Sequence, residues 1–151
     1  MVTIVFSSKT GTCRKYAESL SKSTNTPIDN DADGSKEIIF IGWMKGKNIV
    51  GLDKFRPEQI RVLCVVGMAP VCDLDLIRKH YSIDAPAFYL RGAINREQLS
   101  FSDKFILGVV CMFMHLKKMN DADRELCSVV KNGGSYYDDC YLEPVIEELG
   151  K

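Results

Sequence analysis

Four short apolar segments, separated by longer polar or amphipathic stretches, divide the first two thirds of the chain. They are rich in valine, isoleucine, leucine and phenylalanine, and they cover residues 2–6, 37–42, 61–67 and 87–91. Segments that are short and almost continuously apolar are typical of strands buried on both faces of a parallel sheet. We therefore predict four central strands at these positions.

The stretches between these segments carry the periodicity of helices. A first helix is predicted over residues 12–23 and a second over residues 73–81, because apolar residues recur there every three to four positions. Strands that alternate with helices imply right-handed βαβ crossovers and a parallel sheet covered on both faces. Residues 24–36, rich in asparagine, aspartate and glycine, leave room for a stunted edge strand at residues 26–28 or for none.

The C-terminal third is more helical than the rest. A long, strongly apolar helix is predicted over residues 102–119 and another over residues 120–131. A last helix is expected to begin at Asp138 or Asp139 and to end at Leu149.

Length and composition fit one folded domain, residues 1–151, with 46% hydrophobic and 26% charged residues. Twenty basic and twenty acidic side chains cancel, so no net field draws the protein to nucleic acid, and no such partner is expected. The six cysteines form no C-x-x-C pair and only two histidines are present, which gives a metal site no support. No secretory signal opens the chain, so we expect free thiols and a cytoplasmic protein.

A loop rich in hydroxyl groups leaves the first strand and enters the first helix. Its sequence is Ser8-Lys9-Thr10-Gly11-Thr12-Cys13. The first turn of a helix carries unpaired N–H groups and roughly half a positive charge, and a glycine lets the backbone approach a ligand closely. The loop is therefore a candidate phosphate site. The alternative is a solvated strand-to-helix turn, since neither the Walker A nor the G-x-G-x-x-G pattern is present.

This loop resembles the phosphate loop of the flavodoxin family, which reads roughly [T/S]-x-T-G-x-T after the first strand. Thr12 and Cys13 depart from the family pattern, and a thiol is a weak hydrogen-bond donor. The resemblance implies an α/β fold of the flavodoxin-like three-layer sandwich type, with an open parallel sheet of order 2-1-3-4-5 and a short or missing second strand. It also implies FMN as cofactor. Cys13 itself is either an oxidisable thiol with a lowered pKa or a buried thiol that fills a small space.

In flavodoxins two further loops at the same sheet edge hold the flavin ring. The resemblance assigns the first to residues 42–47, which include the only tryptophan, and the second to residues 67–72, which lack the usual aromatic residue. The expected cofactor-binding residues in these loops are Gly42, Trp43, Met44, Lys45, Gly46, Gly67, Met68, Ala69, Val71 and Cys72. No catalytic side chain is expected, because FMN itself carries the electrons. The alternative role for Trp43 is a hydrophobic cap over a strand end.

Two lysines, Lys45 and Lys47, and no carboxylate occupy the first of these loops. A lysine about 8 Å from the flavin at an effective dielectric of about 40 stabilises the anionic reduced form by about 1 kcal/mol. For one electron this equals roughly 40 mV. We therefore expect a less negative hydroquinone potential than an acidic flavodoxin has. The alternative is that both side chains point into water and are screened.

The later part of the chain is similar to the flavodoxin-domain proteins that include menaquinone-dependent protoporphyrinogen dehydrogenase. The similarity lies in residues 88–92, 99–104, 133–139 and 142–146, and in the apolar helix between them. It implies electron transfer or a small FMN-dependent oxidoreductase, with a redox partner protein or a quinone as acceptor. The helix predicted over residues 102–119 is either core or a contact for a membrane, a quinone or a partner subunit. A flavin-free interaction module on the same scaffold is the alternative function.

Overall fold

The computed structural model describes residues 1–8, 11–69, 71–94 and 134–151 together with ten single positions. These positions are Phe105, Gly108, Val109, Cys111, Met112, Phe113, Asp121, Arg124, Cys127 and Ser128. The ten positions are helical, as predicted for them, and the rest of the helices predicted over residues 102–119 and 120–131 lies outside the described residues. Within the described ranges the protein is an α/β structure with a parallel sheet.

The helices and strands follow the predicted alternation. The strands are β1 (Val2–Ser7), β2 (Glu37–Lys45), β3 (Asn48–Ile49), β4 (Ile60–Gly67), β5 (Ala87–Arg91), β6 (Ala93–Ile94) and β7 (Gly134–Ser135), and the α-helices are α1 (Thr12–Thr24), α2 (Leu74–Tyr81) and α3 (Glu143–Leu149). Short 3₁₀ turns lie at Leu52–Lys54, Pro57–Gln59 and Asp139–Leu142. The four predicted central strands and the first two helices are confirmed. The last helix begins as a 3₁₀ turn, and Asp138 caps it by accepting the Cys140 N–H at 2.9 Å.

Four parallel strands pair in the order β1-β2-β4-β5, and β3 pairs antiparallel with the end of β2. On the other side of β1 a single bridge joins Ile4 to Ile28. The Ile4 N–H donates to the Pro27 carbonyl at 2.8 Å, and the Asp29 N–H donates to the Ile4 carbonyl at 2.9 Å. The edge strand predicted at residues 26–28 is therefore reduced to one bridge. Proline has no N–H to extend the pairing, and Asp29 turns the chain by accepting the Asp31 N–H.

Residues 42–47 were predicted to form a loop, and this prediction is wrong for residues 43–45. Gly42 to Lys45 continue β2, and residues 46 and 47 form a tight turn into β3. Lys45 pairs with Asn48, and the Val50 N–H donates to the Trp43 carbonyl at 3.1 Å. Gly46 supports the turn with a φ of +65°, a conformation that costs glycine little. The partner strand β3 is only two residues long. It is too short to show an alternating apolar and polar pattern, so the sequence does not predict the hairpin.

Side chains from the central strands alternate between two core clusters. The first contains Ile4, Ile39, Ile41, Val62, Cys64 and Leu90 together with Cys13, Tyr16, Ala17 and Leu20 of α1 and Val145 of α3. The second contains Val5, Ile38, Phe40, Leu63 and Val65 together with Ile77 of α2. We call them the α1-side cluster and the α2-side cluster. Burial of successive residues in different clusters explains why these strands are almost continuously apolar.

Candidate functional site

The carboxyl ends of the four parallel strands meet at one edge of the sheet, where the pairing aligns Gly42 with Ser7 and Arg91 with Gly67. Ligands bind at this edge in open α/β sheets. The described residues of the three predicted site segments, 8–13, 42–46 and 67–72, lie here, at or near strand ends. Three residues of these segments, Lys9, Thr10 and Pro70, lie outside the described residues.

The turn between β1 and α1 is organised by Gly11. This residue has a φ of +88° and stands immediately before the first residue of α1. Its N–H donates to the Ser8 Oγ at 2.9 Å, and its carbonyl accepts the Lys15 N–H at 3.0 Å. A Cβ placed on Gly11 would meet no atom within 4 Å. Glycine is therefore favoured here by the backbone conformation alone, and open space lies beside the start of the helix.

Thr12 and Cys13 are buried, with 6% and 2% of their surfaces exposed. Cys13 packs in the α1-side cluster, and desolvation by this burial raises the pKa of its thiol to about 12. Of the two interpretations of Cys13, the buried thiol that fills a small space is confirmed. The pKa of Cys13 is raised overall, because the loss of hydration outweighs the lowering effect of a backbone hydrogen bond. Among the described residues of this turn, ligand contacts would therefore come from the backbone and from Ser8.

Trp43 and Met44 lie on different faces of the sheet, because successive side chains of a strand alternate. Trp43 is half-buried against the α1-side cluster, which includes the first turn of α1. Met44 packs against the α2-side cluster, and its Sδ accepts a hydrogen bond from the Cys72 Sγ at 3.7 Å. Trp43 therefore shares a face with the β1–α1 turn, whereas Cys72 packs on the opposite face. Cys72 therefore does not face Trp43, although the resemblance places both residues in the loops that hold the flavin ring.

The segment that follows β4 is held against β5. The Tyr89 hydroxyl donates to the Ala69 carbonyl at 2.8 Å, and an Arg91 Nη donates to the Met68 carbonyl at 3.1 Å. The Gly92 N–H donates to the Gly67 carbonyl at 2.8 Å. These bonds fix the positions of residues 67–69 relative to the sheet edge. Further along the same segment Val71 is 80% exposed.

Three tyrosines, Tyr16, Tyr136 and Tyr137, make contacts at the end of β5. Tyr16 of α1 is fully buried, and its hydroxyl donates to the Arg91 carbonyl and accepts the Asp138 N–H at 3.3 Å. Its ring lies 4.4 Å from the ring of Tyr137, measured between centroids. The Arg91 guanidinium stacks over Tyr136 at 3.7 Å from the ring centroid. Helix α1, the end of β5 and the C-terminal segment are thus joined at one point.

Sequence reasoning singled out none of these three tyrosines as a supporting residue. In the sequence, Tyr16 is one of the apolar positions at helical spacing in the predicted first helix, and Tyr136 and Tyr137 lie in a segment that carries the resemblance. Their partners lie far away along the chain; 75 positions separate Tyr16 from Arg91, for example. A buried tyrosine usually has a partner for its hydroxyl, which is the one signal that the sequence offered.

The charged groups around the edge are mostly exposed or paired. Lys45 and Lys47 of the hairpin are exposed. Arg14 in the first turns of α1 forms an ion pair with Glu18 at 2.9 Å. Asp73, which follows the β4 loop, accepts the Leu76 N–H at 3.1 Å and so caps α2. The hairpin that follows Trp43 therefore carries two exposed positive charges, Lys45 and Lys47.

Comparison of the chain with protein-family models, with curated proteins and with solved structures gave no match. Across the described ranges no helix is long and apolar enough to cross a membrane. No group of three histidine, cysteine or acidic side chains within that part of the chain could hold a metal ion. The similarity to flavodoxins therefore stays a prediction from the sequence.

Proposed function

We propose that this protein binds FMN at the carboxyl edge of its sheet and takes part in electron transfer. The observation that carries the proposal is the β1–α1 turn, where a glycine with a φ of +88° and open space beside it leads into a helix of 13 residues. The N-terminus of such a helix favours an anion through its free N–H groups and its dipole. A phosphate is the anion that the loop sequence matches.

The flavodoxin-like strand order 2-1-3-4-5 and the three-layer sandwich belong to the same proposal. The bridge between Ile4 and Ile28, on the side of β1 away from β2, supports a residual second strand. The α1-side cluster includes residues of α1 and α3, and the α2-side cluster includes a residue of α2. This arrangement supports helices on both faces of the sheet. A cytoplasmic location and a redox partner protein or quinone as acceptor complete the proposal.

The residues of the edge fit FMN in part. Ser8 and the backbone of the turn would hold the phosphate, and Trp43 on the same face would pack against the ring. FMN, when bound, supplies the redox chemistry, so the protein contributes position and electrostatics. Lys45 and Lys47 would raise the potential of an anionic reduced flavin. Cys72 would contribute no direct contact, because it packs against Met44 on the other face.

A flavin-free interaction module is the second candidate function, and one observation favours it. The Ser8 hydroxyl already accepts the Gly11 N–H, so part of the hydrogen-bonding capacity of the turn is satisfied within the turn. Burial of Cys13 removes a further side chain that could contact a phosphate. In this case the edge would keep the fold of a flavin site without its ligand.

A charge substitution at Gly11 tests the proposal. Asparagine and aspartate both tolerate a positive φ and have nearly the same shape, so Gly11→Asn and Gly11→Asp differ mainly in charge. A carboxylate about 5 Å from the phosphate at an effective dielectric of about 40 costs at least about 1 kcal/mol. We expect Gly11→Asp to bind FMN at least about fivefold more weakly than Gly11→Asn.

Quenching of Trp43 fluorescence measures this binding, because Trp43 is the only tryptophan. Riboflavin, which lacks the phosphate, is the matched ligand control and should not distinguish the two variants. Equal FMN affinities in Gly11→Asn and Gly11→Asp would contradict a phosphate site in the turn. The absence of quenching of the wild-type protein even at high FMN concentration would favour the interaction module.

A further inference from the structure

The hairpin formed by the end of β2 and by β3 projects beyond the neighbouring strands. Pairing of β2 with its parallel neighbours ends at Gly42 and Trp43, so β3 alone accompanies the last two residues of β2. The Ile49 N–H donates to the Tyr81 hydroxyl at 2.7 Å, which anchors the hairpin to α2. The tip, residues 45–48, is exposed. We call residues 43–50 the edge hairpin.

The tip of the edge hairpin carries two positive charges, Lys45 and Lys47, and no acidic residue. Neither lysine forms an ion pair with a side chain of the described ranges. Asp53 follows β3 in the chain, but it is exposed and directly precedes the exposed Lys54, so these two residues add no net charge. The edge hairpin therefore presents a positive surface.

The acidic side chains at the start of α2 have partners of their own. Asp73 accepts the Leu76 N–H at 3.1 Å, and Asp75 forms an ion pair with Arg78 at 3.6 Å. The first carboxylate is offset by the positive end of the helix dipole and the second by the guanidinium. These two acids therefore cancel little of the positive charge on the edge hairpin.

An exposed apolar side chain follows β4 at the same edge. The Cys72 thiol contacts the Met44 sulfur at 3.7 Å, and Val71, the preceding residue, is 80% exposed. Trp43 and Met44 of the edge hairpin are themselves only half-buried. Protein interfaces combine apolar side chains at their centre with polar or charged residues at their rim. The apolar residues here and the two lysines have this composition.

We propose that the edge hairpin docks an electron-transfer protein whose surface is acidic. The choice of an electron-transfer protein rests on the proposed function, because Trp43, which would pack against the flavin ring, belongs to the edge hairpin. Opposite charges accelerate the encounter of two proteins, and weak electron-transfer complexes bury less than about 1,200 Å². An anionic lipid surface fits less well, because lipid-binding segments cluster roughly four to eight basic residues.

Two electron-transfer proteins of opposite charge, added to the FMN-free protein, test this docking. The acidic probe is a plant-type [2Fe–2S] ferredoxin, and the basic probe is cytochrome c. In ¹⁵N-labelled protein the ferredoxin should shift the amide signals of residues 43–50 and of Val71, and its affinity should fall as salt is added. Cytochrome c should bind at least about tenfold more weakly than the ferredoxin.

Single charge reversals locate the surface. Lys45→Glu and Lys47→Glu should each weaken ferredoxin binding at least about threefold, because each replaces an attraction by a repulsion. Lys22→Glu is the matched control, since Lys22 is an exposed lysine in the last turn of α1 and its reversal changes the net charge equally. Its affinity should stay within about twofold of the wild type. If circular dichroism shows one hairpin variant unfolded, the other variant decides.

The proposal is overturned if the wild-type protein binds the ferredoxin no more tightly than cytochrome c, or if the amide shifts lie away from the edge hairpin. It is also overturned if the hairpin variants bind like the wild type or if Lys22→Glu weakens binding equally. The two proposals fail separately. Ferredoxin binding without FMN binding would refute the flavin site alone, and FMN binding without ferredoxin binding would refute the docking alone.

Discussion

Replacement of Gly67 by alanine is expected to destabilise the carboxyl edge of the sheet. A Cβ on this residue would lie 2.5 Å from the Tyr89 hydroxyl oxygen, closer than real Cβ contacts come. Tyr89 cannot move away freely, because its hydroxyl donates to the Ala69 carbonyl at 2.8 Å. Overpacking of this kind costs about 1–3 kcal/mol, and loss of the hydrogen bond costs about 1 kcal/mol. We expect Gly67→Ala to lower the free energy of unfolding by about 2–3 kcal/mol.

A double-mutant cycle with Tyr89→Phe isolates the cause. Without the hydroxyl, the nearest atom to the new Cβ is the ring carbon Cζ of residue 89 at 3.1 Å, a contact that a small shift relieves. In the Tyr89→Phe background, Gly67→Ala should therefore cost less than about 1 kcal/mol. The two single changes are then non-additive by about 1–2 kcal/mol. Urea unfolding of the four proteins measures these free energies, provided that the m-values agree.

The matched control is Gly150→Ala, where the new Cβ would make ordinary contacts at 3.6 Å and have a small effect. Additive effects of Gly67→Ala and Tyr89→Phe would refute the explanation, since the clash is with the hydroxyl that Tyr89→Phe removes. A Gly67→Ala protein as stable as the wild type would show that residues 67–69 are not held against β5 as described.

Two further predictions concern the thiols and the lysines. Burial raises the pKa of Cys13 from its ordinary value of 9.0 to about 12, so the stability that its neutral thiol contributes is complete below about pH 9 and is lost as the pH rises toward 12. In Cys13→Ala the free energy of unfolding in urea should fall less steeply at alkaline pH, and an unchanged pH dependence would contradict the burial. In the native protein iodoacetamide should label the exposed Cys140 first. If FMN is bound, Lys45→Glu/Lys47→Glu should make the hydroquinone potential more negative by at least about 40 mV in potentiometry, and an unchanged potential would mean that both lysines are screened.

Much of the fold could be predicted from local patterns. The central strands are buried on both faces, so each is a continuous apolar run that needs no knowledge of its partners. Helix α2 has a recognisable start, because the carboxylate of Asp73 satisfies the Leu76 N–H. The edge strand predicted at residues 26–28 is reduced because Pro27 and Asp29 limit backbone pairing, and both residues are visible in the sequence.

The arrangement of the candidate site could be predicted less well. With residues 42–47 taken as a loop, nothing fixed which way Trp43 and Met44 face. Both residues belong to β2, and successive side chains of a strand point to opposite faces of the sheet. Trp43 therefore lies on the face opposite Met44 and its partner Cys72. The contacts of Tyr16 and Tyr89 depend on residues brought together only by the complete sheet, and no local pattern reveals them.

Titration of the purified wild-type protein with FMN, followed by Trp43 fluorescence, tests the central claim most directly. A flavin site that combines the β1–α1 turn with Trp43 predicts saturable quenching at micromolar FMN, with riboflavin binding markedly more weakly because it lacks the phosphate. Fluorescence that does not respond to FMN, or that responds equally to FMN and riboflavin, would contradict a phosphate-binding turn at Gly11.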